Sequence, residues 1–285
     1  MFGKESRDKI KNHKSRGVVI MKIAFLGTGN MGGALARAAS KQEGNELLLV
    51  NRHSEKAERL RNEIGGTVLT HEAAVSEADM IFLGVKPVML SELCGMIRRN
   101  LADRTAEGQT GPFVLVSMVA GVSIADLQGQ LGAQYPVIRI MPNTPVSVGE
   151  GMILYTCSEE VSEDRKEAFL TAMRAAGRFL PIEERLMDAG MAVSGCGPAY
   201  VDLFVEALAD AGVAGGLARK DALMLAAQTI LGSAKLILES GKHPGVLKDE
   251  VCSPGGTTIR GVRKLEEKGF RSAVIEAALA TTAGN

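Results

Sequence analysis

The chain has 285 residues, with 33 Lys plus Arg against 33 Asp plus Glu, so its formal net charge is zero. This lack of a basic excess argues against a nucleic-acid-binding protein. With 46% hydrophobic and 23% charged residues, an intrinsically disordered chain is excluded, and the length predicts one large domain or two ordinary ones. The four cysteines, Cys94, Cys157, Cys196 and Cys252, form no CxxC pair. We therefore expect no metal site and no disulfide framework, and a cytoplasmic protein.

The first 26 residues are basic and polar at the start and then apolar, which makes a signal peptide one interpretation. Lys22 interrupts the apolar run, and no small-residue cleavage site follows it. We instead expect a buried strand that runs into a glycine turn, with Met21 as an alternative start. Residues 1–20 are then predicted to be a disordered extension.

From residue 22, short apolar runs alternate with longer amphipathic ones. Strands are predicted at 22–26, 47–50, 67–69, 80–84, 113–117, 137–140, 152–156 and 178–182. Helices are predicted between them at 31–40 and 163–176, and after the candidate caps Ser54 and Ser123. Strands rich in Val, Ile and Leu without clean alternation are typical of a parallel sheet covered on both faces. We therefore predict a doubly wound α/β domain over residues 21–182.

The strand pattern stops after residue 182, and residues 183–285 are predicted to be all helical, with breaks at 195–198, 212–216, 241–245 and 253–256. The apolar segment 222–238 is about one transmembrane length. It contains Gln228 and Lys235, and its neighbours are charged. We therefore favour a helix buried in a core or a subunit interface, with no membrane partner.

A GxGxxG segment directly follows the first predicted strand and opens a helix: Gly27-Thr28-Gly29-Asn30-Met31-Gly32. In this context Gly27 allows a tight turn, Gly29 lets a pyrophosphate approach the backbone, and Gly32 permits close packing of helix and strand. The helix N-terminus adds amides and partial positive charge. The pattern predicts a Rossmann-type nucleotide site, and a glycine turn without a ligand is the alternative.

The residues that follow the second predicted strand indicate which nucleotide binds. An acidic side chain there would hold the ribose 2′-hydroxyl and repel a 2′-phosphate, but the chain has Asn51 and Arg52. We expect Asn51 to contact the ribose region and Arg52 to stack on adenine or pair with the phosphate. This pattern favours NADPH, with NADH possible, unless Arg52 is only a solvated charge at the helix entry.

A third segment, Val85-Lys86-Pro87, lies at the carboxyl end of the fourth predicted strand, where doubly wound folds bind ligands. Lys86 is placed there to face the phosphates of a cofactor. The alternative is an ordinary strand-to-helix turn fixed by Pro87.

The helical half has two further glycine-rich breaks, at 194–200 and 248–258, each followed by an amphipathic helix. The second would bring free backbone amides and two hydroxyls to a helix N-terminus, which suits a small carboxylate ligand. The alternative is a capped turn with Ser253 as the cap and Pro254 in the first turn of the helix.

Taken together, these motifs resemble the Δ1-pyrroline-5-carboxylate reductases of proline biosynthesis. The resemblance spans about residues 21–280, and Cys196 stands where the family usually has serine. Its motifs are the glycine segment, Val85-Lys86-Pro87, and the segments 139–145, 194–200, 206–212, 243–258 and 269–271.

The resemblance implies NAD(P)H-dependent reduction of 1-pyrroline-5-carboxylate to L-proline, the last step of that pathway. It also implies an N-terminal Rossmann domain and a helical dimerisation domain, in a homodimer or a larger assembly of dimers whose sites are completed across the dimer. By the same resemblance, the amides of Gly256 and Thr257 and the hydroxyl of Ser253 bind the substrate carboxylate. Thr258 hydrogen-bonds the imine nitrogen and, as a weak acid, orients or relays a proton from solvent.

Three other functions are weighed against this one. A 3-hydroxyacid dehydrogenase has the same domain plan but uses a lysine after a glycine-rich break, and residues 186–219 contain no lysine. A non-catalytic nucleotide sensor would not require the intact segment Ser253 to Thr258. A reductase of the corresponding six-membered imine stays open, because the sequence does not measure the volume of a pocket.

Overall fold

The computed structural model describes residues 21–106 and 113–282, so the extension predicted at 1–20 lies outside the described residues. The chain forms two compact units that divide between Met187 and Asp188. The sequence places the division at residue 182. Each unit is described by itself below.

The first unit contains an eight-stranded sheet of order β3-β2-β1-β4-β5-β6-β7-β8. The strands are β1 Met21–Leu26, β2 Asn45–Val50, β3 Thr67–Val68, β4 Met80–Leu83, β5 Val114–Ser117, β6 Val137–Met141, β7 Gly151–Cys157 and β8 Gly177–Pro181. The first six are parallel in the Rossmann order, whereas β7 runs antiparallel to β6 and β8 parallel to β7. The predicted doubly wound α/β class is confirmed.

Helices cover both faces of this sheet, which explains the apolar strands. Along β1, Ile23 and Phe25 join one buried cluster, and Ala24 and Leu26 join the other. The α-helices of this unit are α1 Asn30–Ser40, α2 Ser54–Ile64, α3 His71–Glu77, α4 Leu90–Ala106, α5 Ile124–Leu131 and α6 Glu163–Ala172. Short 3-10 helices lie at Pro87–Met89, Thr144–Val148, Arg174–Ala176 and Glu184–Leu186.

The predicted helix starts are partly correct. Ser123 caps α5, because its hydroxyl accepts the Asp126 amide at 3.0 Å in a capping box. The prediction for Ser54 is wrong: α2 begins at Ser54 itself, His53 is the N-cap residue, and no side chain caps the helix. The Asn51 side chain accepts the His53 amide at 3.2 Å, and this closes the turn immediately before the helix.

The helical region has elements α7 Met187–Ser194, α8 Gly197–Ala214, α9 Arg219–Ser240, α10 Pro244–Val251, α11 Thr257–Glu267 and α12 Phe270–Leu279. One buried cluster in this region consists of Ala209, Ala222 and Ala226 where α8 packs on α9, and Met187 and Ala192 on α7 are also buried. Among the described residues, α9 is the one helix long and apolar enough to cross a membrane, and only 11% of its apolar window is buried. Large apolar side chains such as Leu231, 56% exposed, therefore face outward.

Candidate active site

The three glycines of the loop between β1 and α1 differ in what a side chain would meet at each position. Gly27 has φ +111°, and a Cβ there or at Gly32 would collide with a carbonyl oxygen, that of Gly84 or of Gly27 respectively. A Cβ at Gly29 would meet nothing within 4 Å. Gly27 and Gly32 are thus required by packing, and Gly29 leaves open space beside the backbone.

The start of α1 fits a pyrophosphate. Gly29 is its N-cap residue, and no side chain caps the helix or places an acid in its first turn. The first amides of a helix have no partner within it, so this end presents free donors and partial positive charge to the open space at Gly29. The structure therefore provides the cradle that a dinucleotide needs.

Asn51 follows β2 directly, as predicted, and its side chain is engaged within the protein. Its side-chain amide donates to the hydroxyl of Thr28, which is buried, at 2.8 Å, and its carbonyl oxygen accepts the His53 amide. The side chain therefore ties the glycine loop to the entry of α2. Ribose would have to share these atoms, because both ends of the Asn51 side chain already have partners.

The segment after β4 lies close to the glycine loop, because β4 pairs with β1 and Leu83 stands beside Leu26. Lys86 is exposed and precedes the 3-10 helix that begins at Pro87. Val85 and Arg52 line one cavity of about 340 Å³. The structure thus brings together the segments after β1, β2 and β4, which the sequence singles out separately.

In the second unit, residues 253–256 form a type II β-turn. The Gly256 amide donates to the Ser253 carbonyl at 3.0 Å, Pro254 takes the second position, and Gly255 has the positive φ of +68° that the third position requires. The alternative of a helix capped by Ser253 is wrong, because α11 starts at Thr257 with Gly256 as its N-cap residue.

This turn exposes the start of α11. No side chain caps the helix, and the amides of Thr257 and Thr258 have no partner among the described residues. The hydroxyl of Ser253 lies against Gly256, where a Cβ would collide with it. The Gly256 amide, which we predicted to bind a carboxylate, is instead used inside the turn. The loop offers one hydroxyl and two helix amides to an anion.

A buried ion pair was missed by the sequence reasoning. Arg139 on β6 is 7% exposed, and its Nη1 donates to Glu184 Oε1 at 2.9 Å. The same carboxylate oxygen accepts the Ile124 amide at 2.8 Å, and Arg139 Nε is buried without a partner. In the sequence, the one indication of this pair is an arginine within an otherwise apolar predicted strand. No group of three His, Cys, Asp or Glu side chains in the described part of the chain could hold a metal ion.

Models of two known families match parts of the chain. Residues 184–285 match the model for pyrroline-5-carboxylate reductase dimerisation, and residues 22–106 match the model for the coenzyme F420-dependent NADP oxidoreductases. The pyrroline-5-carboxylate reductase of Escherichia coli K12 is 40% identical over 260 residues, which is 90% of this chain and 94% of that protein. The Arabidopsis thaliana reductase is 38% identical over 263 residues, 91% of this chain and 92% of that protein.

Solved structures agree with the sequence relatives. Plasmodium falciparum pyrroline carboxylate reductase with NADP bound superposes with a TM-score of 0.80 at 31% identity, covering 93% of this chain and 97% of that one. The Coxiella burnetii pyrroline-5-carboxylate reductase gives 0.81 at 30% identity, with 91% and 95% covered. Prephenate dehydrogenase from A. aeolicus, at 13% identity and a TM-score of 0.51, shares the fold alone. On this coverage and identity, the resemblance drawn from the motifs is confirmed, and the chain belongs to the pyrroline-5-carboxylate reductase family.

Proposed function

We propose that the protein catalyses the NADPH-dependent reduction of 1-pyrroline-5-carboxylate to L-proline, the last step of proline biosynthesis. The observation that carries the proposal is the alignment with reductases of this name over 90% of the chain, together with an intact turn and an uncapped helix at residues 253–258. A nucleotide sensor would have no need of that second feature. The six-membered imine stays the alternative substrate.

The cofactor binds to the first unit. When bound, NADPH supplies a hydride to the imine carbon. The open space beside Gly29 and the free amides of α1 suit its pyrophosphate, and the exposed Arg52 carries the charge that suits a 2′-phosphate. NADH is the alternative donor. The proposed cofactor-binding set is Gly27, Thr28, Gly29, Asn30, Met31, Gly32, Asn51, Arg52, Val85, Lys86 and Pro87.

The substrate binds at the turn of residues 253–256 and the start of α11. We assign the carboxylate to the Ser253 hydroxyl and the Thr257 amide, because a helix N-terminus stabilises an anion. Gly256 supplies the space that the Ser253 hydroxyl needs, and its amide keeps the turn closed. Thr258 orients or relays the proton that the imine nitrogen takes from solvent, which balances the reduction.

The assembly is a homo-oligomer, and we propose that it is built from dimers. The family model for dimerisation covers residues 184–285, and the exposed apolar side chains of α9 form the kind of surface that a second copy would cover. We assign residues 21–182 to cofactor binding and 183–285 to substrate binding and dimerisation. All four cysteines are free, which fits a reducing cytoplasm.

The test is the initial rate of NADPH oxidation with 1-pyrroline-5-carboxylate, beside NADH and beside the six-membered imine. Thr258→Ala should lower kcat sharply, and Thr171→Ala, an exposed threonine on α6, is the matched control. Faster turnover of the larger ring would reassign the substrate. Tight NADPH binding without any turnover would leave the nucleotide sensor as the surviving function.

A further inference from the structure

Helix α10 leads directly into the turn of residues 253–256 that we assign to the substrate. The helix ends at Val251, and the amide of the next residue, Cys252, donates to the Asp249 carbonyl at 3.0 Å. Ser253, the first residue of the turn, follows Cys252 along the chain. One residue therefore joins the helix to the turn, and disorder of α10 reaches the Ser253 hydroxyl.

The stability of α10 depends on its ends. The helix has eight residues, and none of them is buried within one copy of the chain. Its apolar side chains Val246 and Val251 are 48% and 67% exposed. A helix of this length is marginal in water unless packing or a cap stabilises it. With little packing of its own, α10 relies on the contacts at its first and last turns.

His243 supplies the contacts at the first turn. The Gly245 amide donates to His243 Nδ1 at 3.1 Å, and the amides of Val246 and Leu247 donate to the His243 carbonyl at 2.9 and 3.3 Å. Pro244, the first residue of the helix, has no amide hydrogen to satisfy. The ring and the carbonyl of one residue therefore engage every backbone donor at this end of α10.

Two neighbouring features fit this cap. A Cβ at Gly245 would lie 3.0 Å from His243 Nδ1 and 3.4 Å from Cε1, so glycine leaves the ring the room that it needs. Lys242 Nζ pairs with Glu250 Oε1 at 2.6 Å, which ties the residue before the cap to the last turn of the helix. Order at the capped end is therefore passed to the end that adjoins the turn.

This cap requires a neutral imidazole. A ring nitrogen that accepts a hydrogen bond has a free lone pair, and the imidazolium form has two donors and no acceptor. Positive charge is also unfavourable at a helix N-terminus. His243 is exposed, so solvent protons reach it, and histidine is the side chain that changes charge between pH 5 and 8. Acid should therefore remove the cap.

Other charged or titratable groups lie on α10, at its two ends and on α12. They are Lys242, Lys248, Asp249, Glu250, Cys252 and Arg271. The hydrogen bond and the charge of Asp249 raise the pKa of Lys248, so this ammonium stays protonated. Side chains of these types ordinarily keep one charge state between pH 5.5 and 7.5. A change in α10 within this range therefore reports the imidazole.

We propose that His243 is a positioning residue for the reduction: its neutral ring caps α10, and the capped helix holds the turn of residues 253–256 in the form that binds the imine. This inference rests on the proposed function, because it takes the turn to be the substrate site. Loss of the cap reduces the fraction of protein with an ordered turn. Such a loss raises the KM for the imine and leaves kcat nearly unchanged, because the ordered fraction still reacts normally.

Three substitutions measured at saturating NADPH and pH 7.5 test the cap. His243→Ala should raise the KM for 1-pyrroline-5-carboxylate about two- to tenfold, the range expected for loss of one N-cap. His243→Asn, which restores a capping side chain, should return the KM to within twofold of the unaltered protein. His53→Ala is the matched control, since His53 is the N-cap residue of α2 and its side chain makes no cap bond. It should leave the imine KM unchanged.

The pH profile separates the cap from a structural role of the side chain. The KM of the unaltered protein is divided by that of His243→Asn at each pH, which cancels the ionisation of the imine itself. This ratio should be near one at pH 7.5 and should rise at least twofold by pH 5.5, because asparagine caps the helix at both values. A ratio independent of pH, or a failure of asparagine to restore the KM, would overturn the inference.

Hydrogen exchange of residues 245–252 reports the helix without turnover. Exchange should be faster in His243→Ala than in the unaltered protein or in His243→Asn, while the Kd for NADPH stays unchanged in all three. Faster exchange in His243→Ala in a protein that reduces no imine would keep the cap of α10 and lose the reductase assignment. Reduction of the imine with a KM that is insensitive to residue 243 would keep the assignment and refute the positioning role.

Discussion

Replacement of Glu184 by alanine should destabilise the first unit, because it leaves a buried guanidinium without an anion. Arg139 has a side chain only 8% exposed, whereas Glu184 is 32% exposed. Removal of one partner from a fully buried pair costs about 3–5 kcal/mol. Water reaches part of this site through the exposed fraction of Glu184, so we expect the low end of that range, about 3 kcal/mol.

Urea denaturation followed by circular dichroism measures this loss. With a slope of about 1–3 kcal/mol per molar urea, the transition midpoint should fall by about 1–3 M. Because two units can unfold separately, hydrogen exchange should be read on β6 and at the start of α5, where the carboxylate accepts the Ile124 amide. Protection of these amides should decrease together with the midpoint.

Two further variants test whether burial of the pair causes this loss of stability. Arg185→Ala removes the exposed pair with Glu183, whose side chains are 70% and 66% exposed, and should change stability by less than about 1 kcal/mol. The double replacement Arg139→Met with Glu184→Leu should recover most of the loss, since no unpaired charge remains. If the urea midpoint of Glu184→Ala equals that of Arg185→Ala, the buried pair does not contribute the stability that we expect from it.

Three other outcomes are expected. Gly256→Ala should raise the KM for the imine at least tenfold and leave the cofactor Kd unchanged, because the added methyl group collides with the Ser253 hydroxyl. Gly261→Ala is the kinetic control, since a Cβ there meets nothing within 4 Å. Gly32→Ala should abolish NADPH binding in calorimetry, since its Cβ collides with the carbonyl of the glycine loop. Burial raises the pKa of Cys94 from 9.0 to about 11, so the folded state binds more protons between these values. Stability should therefore fall as the pH rises from about 9 to 11, a component that Cys94→Ala should lack.

The site was predictable to the extent that it is built from contiguous residues. A strand, three glycines and a helix succeed one another in residues 21–40, so the position of Gly29 beside open space follows from local pattern. The turn at 253–256 is equally local. Its exact type escaped prediction, because a capped helix and a type II turn use the same Ser, Pro and Gly residues.

Contacts between distant segments could not be predicted in this way. Arg139 and Glu184 are 45 residues apart, and Asn51 and Thr28 are 23 apart. The sequence shows that these side chains are present, but it does not show which of them are in contact.

The sequence by itself determined the fold class, because hydrophobic periodicity and glycine spacing act over a few residues and need no distant partner. Its motifs also resembled those of the family to which the chain belongs. The tertiary structure decided which polar groups are satisfied. Strand order brings the ends of β1, β2 and β4 to one edge of the sheet. Only after that juxtaposition does Asn51 hydrogen-bond to Thr28. The pairing of Arg139 with Glu184 depends in the same way on contacts between distant segments.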